Sequence, residues 1–202
     1  MSEDNTENYQ RGGAGMKKII VGITGATGVI YGIRLLEILK QKKIETHLIM
    51  SDAAKKNILI ETSYSIKNVE RLAHTTHSVN DLAAPISSGS FITHGMVIIP
   101  CTIKTLSGVA HSYNDNLIVR AADVILKERR KLILVVRETP FHKGHLDLMA
   151  LITERGGIVL PPIPAFYHNP KTIDDLINHT IGKILDSLGI ENTLFKRWKS
   201  KT

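Results

Sequence analysis

Short apolar runs of strand length alternate with helical patterns through most of the sequence. Runs rich in Val, Ile and Leu, without an alternating polar face, are typical of parallel strands covered on both sides. Helices between consecutive strands supply the crossovers that parallel pairing requires. The pattern therefore predicts a single α/β domain on a doubly wound parallel sheet, flavodoxin-like or Rossmann-like, with ligands at its carboxyl edge. The predicted strands cover residues 17–23, 45–50, 96–99, 132–136 and 157–160.

The turn after the third strand is the stretch around which the other predicted elements are arranged. Residues 100–108 read PCTIKTLSG, and Pro100 is expected to end the strand. A strand-to-helix turn points backbone N–H groups at whatever lies beyond the strand. Thr102 and Thr105 add hydroxyls there, and Lys104 adds a positive charge. These groups predict a site for a ligand rich in acceptor atoms, but hydroxyls at this place are equally typical of an ordinary helix cap.

A glycine-rich turn follows the first predicted strand. It reads TGATG at residues 24–28 and opens a helical pattern over residues 29–40. Strand, glycine turn and helix in this order are typical of a nucleotide-binding βα unit. The glycines are spaced three apart instead of as G-x-G-x-x-G, so phosphate binding is only weakly indicated and a merely tight turn is the alternative. Ser51, which follows the second strand, is predicted to cap the next helix.

Composition narrows the classes of protein that fit. The chain of 202 residues has a net charge of +7, with 43% apolar and 22% charged residues, which suits one globular domain with acidic partners. No apolar run is long enough to span a bilayer, and the single cysteine, Cys101, is typical of a reducing cytoplasm. The longest basic cluster, residues 127–131, is short, and aromatic residues are scarce. Phosphorylated small molecules are therefore favoured over nucleic acid as partners.

The domain boundaries follow from changes in composition. Residues 1–15 are polar and predict a disordered tail, and residues 16–190 form the α/β domain. Residues 191–202 form a C-terminal tail, whose Trp198 needs a pocket on this chain or on a neighbouring subunit. Residues 62–93 have weak periodicity and predict a functional loop or lid. Histidines around that loop lack the close spacing of metal ligands, so no metal site is expected.

Charged side chains recur along the helix that is predicted over residues 116–128. Arg120, Asp123, Lys127 and Glu128 lie at i, i+3, i+7 and i+8, on one side of that helix. Charges at this spacing commonly form a salt-bridged surface, but they can also form one side of an anion site.

Two later stretches place polar groups where a ligand is expected. Arg137 and Glu138 follow the fourth strand, at the edge where an open α/β sheet presents its chemistry. Prolines in residues 161–170 exclude both helix and sheet ladder and predict a stiff loop. A stiff loop can hold Tyr167 in place.

Seven motifs, taken in order, resemble the flavin prenyltransferase (UbiX) family. They are TGATG (24–28), SGSF (88–91), PCTIKTLSG (100–108), RAADV (120–124), LKERR (126–130), RETP (137–140) and PAFY (164–167). The resemblance is collinear from about residue 17 to residue 198. It implies transfer of a dimethylallyl group from dimethylallyl phosphate to N5 and C6 of reduced FMN, without a metal. It also implies a flavodoxin-like fold, a homo-dodecamer with shared sites, and delivery of prenylated FMN to a UbiD-type decarboxylase, commonly in ubiquinone biosynthesis.

The same resemblance implies roles for residues at the matching positions. The residues expected to hold FMN are Gly25, Ala26, Thr27, Ser51, Thr102, Ile103, Lys104, Thr105 and Arg137. The residues expected around the prenyl phosphate are Ser88, Arg120, Lys127, Arg137, Glu138, Tyr167 and Lys183. The expected catalytic residues are Thr27, Glu61, Lys127 and Glu138, with Glu61 near the reacting flavin. The chain departs from many relatives at Thr27 and Thr102, where Ser is common, and at Lys183, where Arg is common and would grip a phosphate with two donors instead of a point charge.

Three alternative functions use parts of the same pattern. TGATG with Tyr167 and Lys171 mimics a short-chain dehydrogenase, but Y-x-x-x-K works only on a helix and Pro170 lies between the two residues. A flavin-dependent cysteine decarboxylase of the same fold would be expected to carry a P-A-M-N-like segment at residues 100–103. A flavin-binding protein without prenyl transfer is the third alternative, and the clustered charges argue against it.

Overall fold

The computed structural model describes residues 17–198, so the predicted N-terminal tail lies outside the described residues. The strands are β1 (Lys18–Ile23), β2 (Glu45–Met50), β3 (Thr75–His77), β4 (Gly95–Cys101), β5 (Lys131–Val136) and β6 (Ile158–Val159). The helices are α1 (Val29–Gln41), α2 (Asp52–Glu61), α3 (Ile66–Glu70), α4 (Ile103–Ala110), α5 (Leu117–Lys127), α6 (Lys143–Glu154) and α7 (Ile173–Leu188).

The strands form one parallel sheet in the order β3-β2-β1-β4-β5-β6. This is the strand order of the Rossmann type, and without the short edge strand β3 it reduces to the flavodoxin order. The predicted doubly wound α/β fold is therefore confirmed. The strand order reverses between β1 and β4, which is where such sheets open a crevice for ligands.

The sequence predicted five strands and missed β3. The segment over residues 62–93, predicted as a functional loop or lid, contains α3, β3 and a short 3-10 turn, and its role as a lid stays a prediction. β3 pairs with β2, with His47 opposite Thr75 and Ile49 opposite His77. Two of its three residues are exposed, so no apolar pattern marks it. Backbone hydrogen bonds to β2 define this strand, and its side chains do not show the apolar pattern from which strands are predicted.

The end of β4 also differs from the prediction. Pro100 was expected to end the strand, but β4 continues through it to Cys101, with an irregular register against β5 after Ile98. Proline lacks the N–H that a ladder uses, so an irregularity is the place where a strand tolerates it. The Pro100 carbonyl still bonds, because it accepts from the backbone N–H of Thr24 at 3.2 Å.

Helices cover both faces of the sheet and enclose two apolar clusters. One cluster lies between the sheet and α1 with α7, and it includes Val21, Leu36 and Ile181. The other lies between the sheet and α4 with α5, and it includes Met96 and Leu106. Because both faces are buried, the strands carry the continuous apolar runs from which they were predicted.

Close packing of α1 against β4 fixes the position of the turn between β1 and α1. A Cβ atom at Gly32 would lie 2.6 Å from the carbonyl oxygen of Ile99 and 3.0 Å from a side-chain carbon of Ile23. A backbone oxygen cannot rotate away, so any side chain at residue 32 would push α1 off the sheet.

We expect Gly32→Ala to destabilise the protein. Alanine gains about 1 kcal/mol of helix propensity, but overpacking of this kind typically costs about 1 to 3 kcal/mol. A net loss, seen as a lower melting temperature, is the expected result. Gln41→Ala, at the exposed end of the same helix, is the matched control and should leave the melting temperature unchanged. An unchanged melting temperature for Gly32→Ala would show that α1 shifts without cost.

Candidate active site

A cavity of about 430 Å³ lies where the carboxyl ends of β1 and β4 meet. This is the crevice at which the strand order reverses. Five of the residues predicted to bind FMN line it, namely Gly25, Ser51, Thr102, Lys104 and Thr105. Ala26 and Thr27 belong to the same turn as Gly25, and Ile103 lines the neighbouring groove between α4 and α6.

Three helices begin at this cavity, each with a polar side chain as its cap. The Ser51 hydroxyl accepts a hydrogen bond from the backbone N–H of Ala54 at 3.1 Å, at the start of α2. The Thr102 hydroxyl accepts from the N–H of Thr105 at 3.2 Å, and the Asn116 side chain accepts from the N–H of Ile118 at 2.9 Å. Convergent helix N-termini attract an anionic or acceptor-rich ligand. The Ser51 and Thr102 hydroxyls therefore cap their helices and also line the cavity, and their role in binding a ligand stays a prediction.

The two turns that frame the cavity are joined by the buried hydroxyl of Thr24. It donates to the carbonyl oxygen of Pro100 at 2.7 Å and accepts from the N–H of Thr102 at 2.9 Å. Thr24 is only 2% exposed, so neither bond competes with water. This side chain sets the distance between the glycine turn and the start of α4.

The glycine turn is held from its other side by α2. Asn57, which the sequence analysis did not single out, donates to the carbonyl oxygens of Gly25 at 3.0 Å and Ala26 at 3.3 Å. A Cβ at Gly25 would lie 2.4 Å from that of Ala53, so only glycine fits there. In the sequence, Asn57 is one of several polar residues of a predicted helix, and it belongs to none of the motifs.

Glu61 has a structural partner in this chain. Its Oε2 accepts from the N–H of Gly28 at 2.8 Å and from the N–H of Val29 at 3.3 Å, which caps α1 in place of the missing side chain at Gly28. Thr27 is exposed beside this contact. The position of Glu61 next to a reacting flavin stays a prediction. Its carboxylate already contacts the glycine turn, which is expected to bind the flavin.

Two acidic side chains and one basic side chain line the cavity, so its charged groups do not add up to a positive charge. Lys104 is the lysine that lines it, and its Nζ lies 3.5 Å from Oδ2 of Asp115. Asp52 lines it as well. A phosphate bound here would therefore rely on N–H groups and hydroxyls more than on net charge.

Arg137 and Glu138 lie at the carboxyl end of β5, as predicted. The backbone N–H of Arg137 donates to the carbonyl oxygen of Cys101 at 3.1 Å, which places it beside the end of β4. Its side chain is exposed and does not line the cavity. Glu138 accepts from the N–H of Thr139 at 2.9 Å.

Ser88, Arg120 and Lys127 lie away from the cavity. Arg120 donates from Nε to the carbonyl oxygen of Ser87 at 3.2 Å and pairs with Asp123 at 3.4 Å. Lys127 pairs with Glu128 at the end of α5, next to the start of β5. Helix and strand order place this end of α5 at the amino edge of the sheet, opposite the cavity.

Ser88 therefore does not share the carboxyl edge with the cavity in the single chain. The loop that contains it is tied to the start of β5, because Arg130 donates to the carbonyl oxygens of Gly89 at 2.7 Å and Phe91 at 2.8 Å. This loop directly precedes β4 in the sequence and leads into the amino end of that strand.

Tyr167 and Lys183 form a third group, beside α7. The Tyr167 hydroxyl lies 3.0 Å from Nε2 of His179, and Trp198 packs edge-on against the Tyr167 ring at a centroid distance of 5.5 Å. Residues 191–198 fold back on α7, where Arg197 pairs with Asp186 at 2.7 Å. Packing of this tail on a neighbouring subunit stays a prediction, and Trp198 is still 67% exposed.

Two absences concern the part of the chain that the structure describes. Within residues 17–198, no group of three or more His, Cys, Asp or Glu side chains is placed to hold a metal ion. Over the same range, the helices are too short or too polar to cross a membrane.

Burial raises the pKa of the Cys101 thiol, so this side chain is a core residue and not a nucleophile.

Comparison with known proteins first shows the class of protein to which the chain belongs. A family model described as Flavoprotein matches residues 7–184, and the cavity at the switch point is where such a fold binds its ligand. The chain is 56% identical over 187 residues to the flavin prenyltransferase UbiX of Escherichia coli K12, covering 91% of this chain and 99% of that protein. It is 57% identical over 181 residues to UbiX of Thauera aromatica, covering 90% and 93%. The chain belongs to the UbiX family of flavin prenyltransferases and is an enzyme of that kind.

Solved structures agree with this assignment. A crystal structure of AnUbiX (PadA1) in complex with FMN and dimethylallyl pyrophosphate matches with a TM-score of 0.91 at 45% identity, covering 93% of this chain and 100% of that one. A dodecameric FMN-dependent UbiX-like decarboxylase from Escherichia coli O157:H7 matches with a TM-score of 0.88 at 48% identity, covering 91% and 100%. The cysteine decarboxylase TvaF is 14% identical with a TM-score of 0.62, which shows a shared fold alone.

We expect Thr24→Val to weaken both the fold and FMN binding. The substitution keeps the shape of the side chain but leaves the buried Pro100 carbonyl and Thr102 N–H with one partner fewer, which costs about 1 to 3 kcal/mol. Thr24→Ser keeps the hydroxyl and is the matched control. Melting temperature and quenching of FMN fluorescence on binding measure the two effects. If Thr24→Val binds FMN as the unaltered chain does, the bridge does not set the cavity.

Proposed function

We propose that this enzyme transfers a dimethylallyl group from dimethylallyl phosphate to N5 and C6 of reduced FMN, in a site shared between copies of the chain. The observation that carries the shared site is the separation of the expected residues. One copy gathers the groups that suit FMN at the ends of β1 and β4, whereas Arg120 and Lys127 do not line that cavity and Lys127 lies at the opposite edge. A site completed by neighbouring copies brings the two sets together.

The cavity fits the acceptor-rich part of FMN. Thr102 and Thr105 present hydroxyls, Ser51 presents a third, and three helix starts direct N–H groups into the same space. Gly25 lets the turn pack directly against Ala53 of α2, which keeps both residues at the wall of the cavity. These groups would hold and orient the flavin, and reduced FMN supplies the nucleophilic ring atoms when bound.

Cleavage of the allylic C–O bond needs fixed positive charge. The departing phosphate accumulates negative charge, which cations and donors aimed at it stabilise. The cavity of one copy offers Lys104, which Asp115 already pairs. Arg120 and Lys127 keep side chains that are 35% and 50% exposed, so an adjoining copy can present them. In this proposal these two residues, with Arg137, Tyr167 and Lys183, hold the prenyl phosphate.

Ring closure at C6 also requires that protons move. A carboxylate near the reacting atoms can accept one, and the released phosphate can accept another. Glu138 is the carboxylate at the carboxyl end of β5, and Glu61 is the carboxylate in the glycine turn. We assign the proton transfer to Glu138, because Glu61 is already bound to two backbone N–H groups.

Surface composition supports assembly into an oligomer, which we propose is a homo-dodecamer. Large apolar side chains are strongly exposed on the single chain, at Ile60 (79%), Ile163 (71%), Phe166 (71%) and Ile173 (77%). Exposed apolar groups of this size are typical of surfaces that other subunits cover. A cytoplasmic location and delivery of the product to a UbiD-type decarboxylase, in ubiquinone biosynthesis, complete the proposal.

The reaction can be tested by mass spectrometry of the bound flavin. Purified enzyme given FMN, a reductant and dimethylallyl monophosphate is expected to yield a flavin heavier by one prenyl group. Dimethylallyl pyrophosphate in a parallel sample shows which phosphate is used. A flavin of unchanged mass, with release of CO₂ from an aromatic acid, would favour the decarboxylase activity that names the solved E. coli O157:H7 neighbour.

The shared site can be tested by complementation between two inactive variants. Ser51→Phe fills the FMN cavity from the start of α2, and Lys127→Ala removes a prenyl-phosphate cation from the opposite edge. We expect Lys127→Ala to retain FMN and lose transfer. Equal losses of both would make Lys127 structural. Co-expression with two affinity tags selects mixed oligomers, and random mixing should restore about a quarter of the sites. Mixed oligomers without activity would place both halves of the site in one chain.

A further inference from the structure

A histidine outside the family motifs holds the hydroxyl of Tyr167. Tyr167 is 46% exposed at the end of the proline-rich loop, and its oxygen lies 3.0 Å from Nε2 of His179 on α7. The two rings meet edge-on, with centroids 5.6 Å apart. One side chain of the pair therefore faces outward, where a ligand can reach it, and the other is fixed in the helix.

His179 is held rigidly in its own place. It is 8% exposed, its ring stacks on that of His168 at 5.0 Å, and Phe195 packs edge-on against it at 4.7 Å. Burial lowers the pKa of His179, and the nearby His168 and Lys183 lower it further. The imidazole is therefore neutral at neutral pH.

A neutral imidazole has two tautomers, and they give Tyr167 opposite roles. If Nε2 is unprotonated, the tyrosine O–H donates its hydrogen bond to Nε2, and the hydroxyl cannot donate to a ligand. If Nε2 carries the proton, His179 donates to the tyrosine oxygen and leaves the tyrosine O–H free. A phosphate oxygen accepts hydrogen bonds and never donates them when it is fully ionised. Only the second tautomer lets Tyr167 bind a phosphate.

We propose that His179 is a positioning residue, which donates from Nε2 to the Tyr167 oxygen and so aims the Tyr167 O–H at the phosphate of the prenyl donor. The inference rests on the proposed function, in which Tyr167 contacts that phosphate. It adds the residue that selects the direction of the tyrosine proton. His179 acts through Tyr167 and does not itself touch the substrate.

The test is a double-mutant cycle on the oligomeric enzyme, with prenylated FMN as the product measured. His179→Leu removes the donor, and Tyr167→Phe removes the group on which it acts. We expect His179→Leu to raise KM for dimethylallyl monophosphate about three- to tenfold, the range for loss of one neutral hydrogen bond. FMN affinity should not change. In the Tyr167→Phe background the same substitution should have no further effect.

Two variants separate positioning from general damage. His179→Gln keeps an N–H donor on the side chain and should recover most of the lost KM. Asn178→Leu is the matched control, because Asn178 neighbours His179 on α7 and accepts from Arg34 at 2.7 Å on the α1 side, away from Tyr167. It should lower the melting temperature without changing KM.

The outcomes distinguish this inference from the function on which it rests. If Tyr167→Phe leaves KM unchanged, the proposed role of Tyr167 is wrong. If Tyr167→Phe raises KM but His179→Leu does not, the positioning role is wrong and the proposed function stands. Equal effects of His179→Leu in both backgrounds, without rescue by Gln, would make His179 a structural residue only.

Discussion

The hydroxyl of Thr24 fixes the geometry on which the candidate site depends. It joins the ends of β1 and β4, the two central strands between which the strand order reverses. The sheet opens at this point, so two neighbouring turns would separate without a bridge. A buried hydroxyl with a donor bond and an acceptor bond has little freedom, and an apolar replacement would leave backbone groups unpaired. The positions of Gly25 and Thr102 relative to each other follow from this one residue, because its backbone N–H also donates to the Pro100 carbonyl.

A second constraint is that a parallel sheet has two different edges. The amino ends of helices converge at the carboxyl edge and suit an acceptor-rich ligand, and the carboxyl ends of helices collect basic residues at the other edge. Lys127, at the end of α5, follows this rule. A single copy therefore cannot bring its helix-end cations to its own helix starts. A reaction that needs both, as loss of a phosphate beside a bound flavin does, favours an assembly in which copies meet edge to edge.

The fold was predictable because strands that are buried on both faces consist largely of apolar residues. β1, β4 and β5 are mostly apolar runs, β2 is apolar in its second half (residues 48–50), and the sequence located each of the four within a few residues. β3 was missed, since it pairs through its backbone and exposes its side chains. Five of the residues that line the cavity, Gly25, Ser51, Thr102, Lys104 and Thr105, were predictable from strand ends and family motifs. Asn57 was not, because its role arises from the packing of α2 on the glycine turn.

The motifs predicted candidate site residues but not where those residues lie in the fold. Gly25, Lys127 and Tyr167 belong to three separate groups in the single chain, and linear order carries no information on contacts between copies. The same limit applies to His179, whose relation to Tyr167 crosses from a loop to a helix.

Side-chain caps at the cavity leave most of the helix-start N–H groups available. A cap satisfies one or two of the four N–H groups that a helix leaves unpaired, so Ser51, Thr102 and Asn116 stiffen the turns and still leave donors for a ligand. Asp52 and Asp115 offset the charge of Lys104 in the same space. A phosphate would therefore be held by several directed N–H and hydroxyl donors, and net positive charge would contribute little. Binding of this kind is specific without being strongly electrostatic, which suits an enzyme that, in the function proposed above, releases its modified flavin.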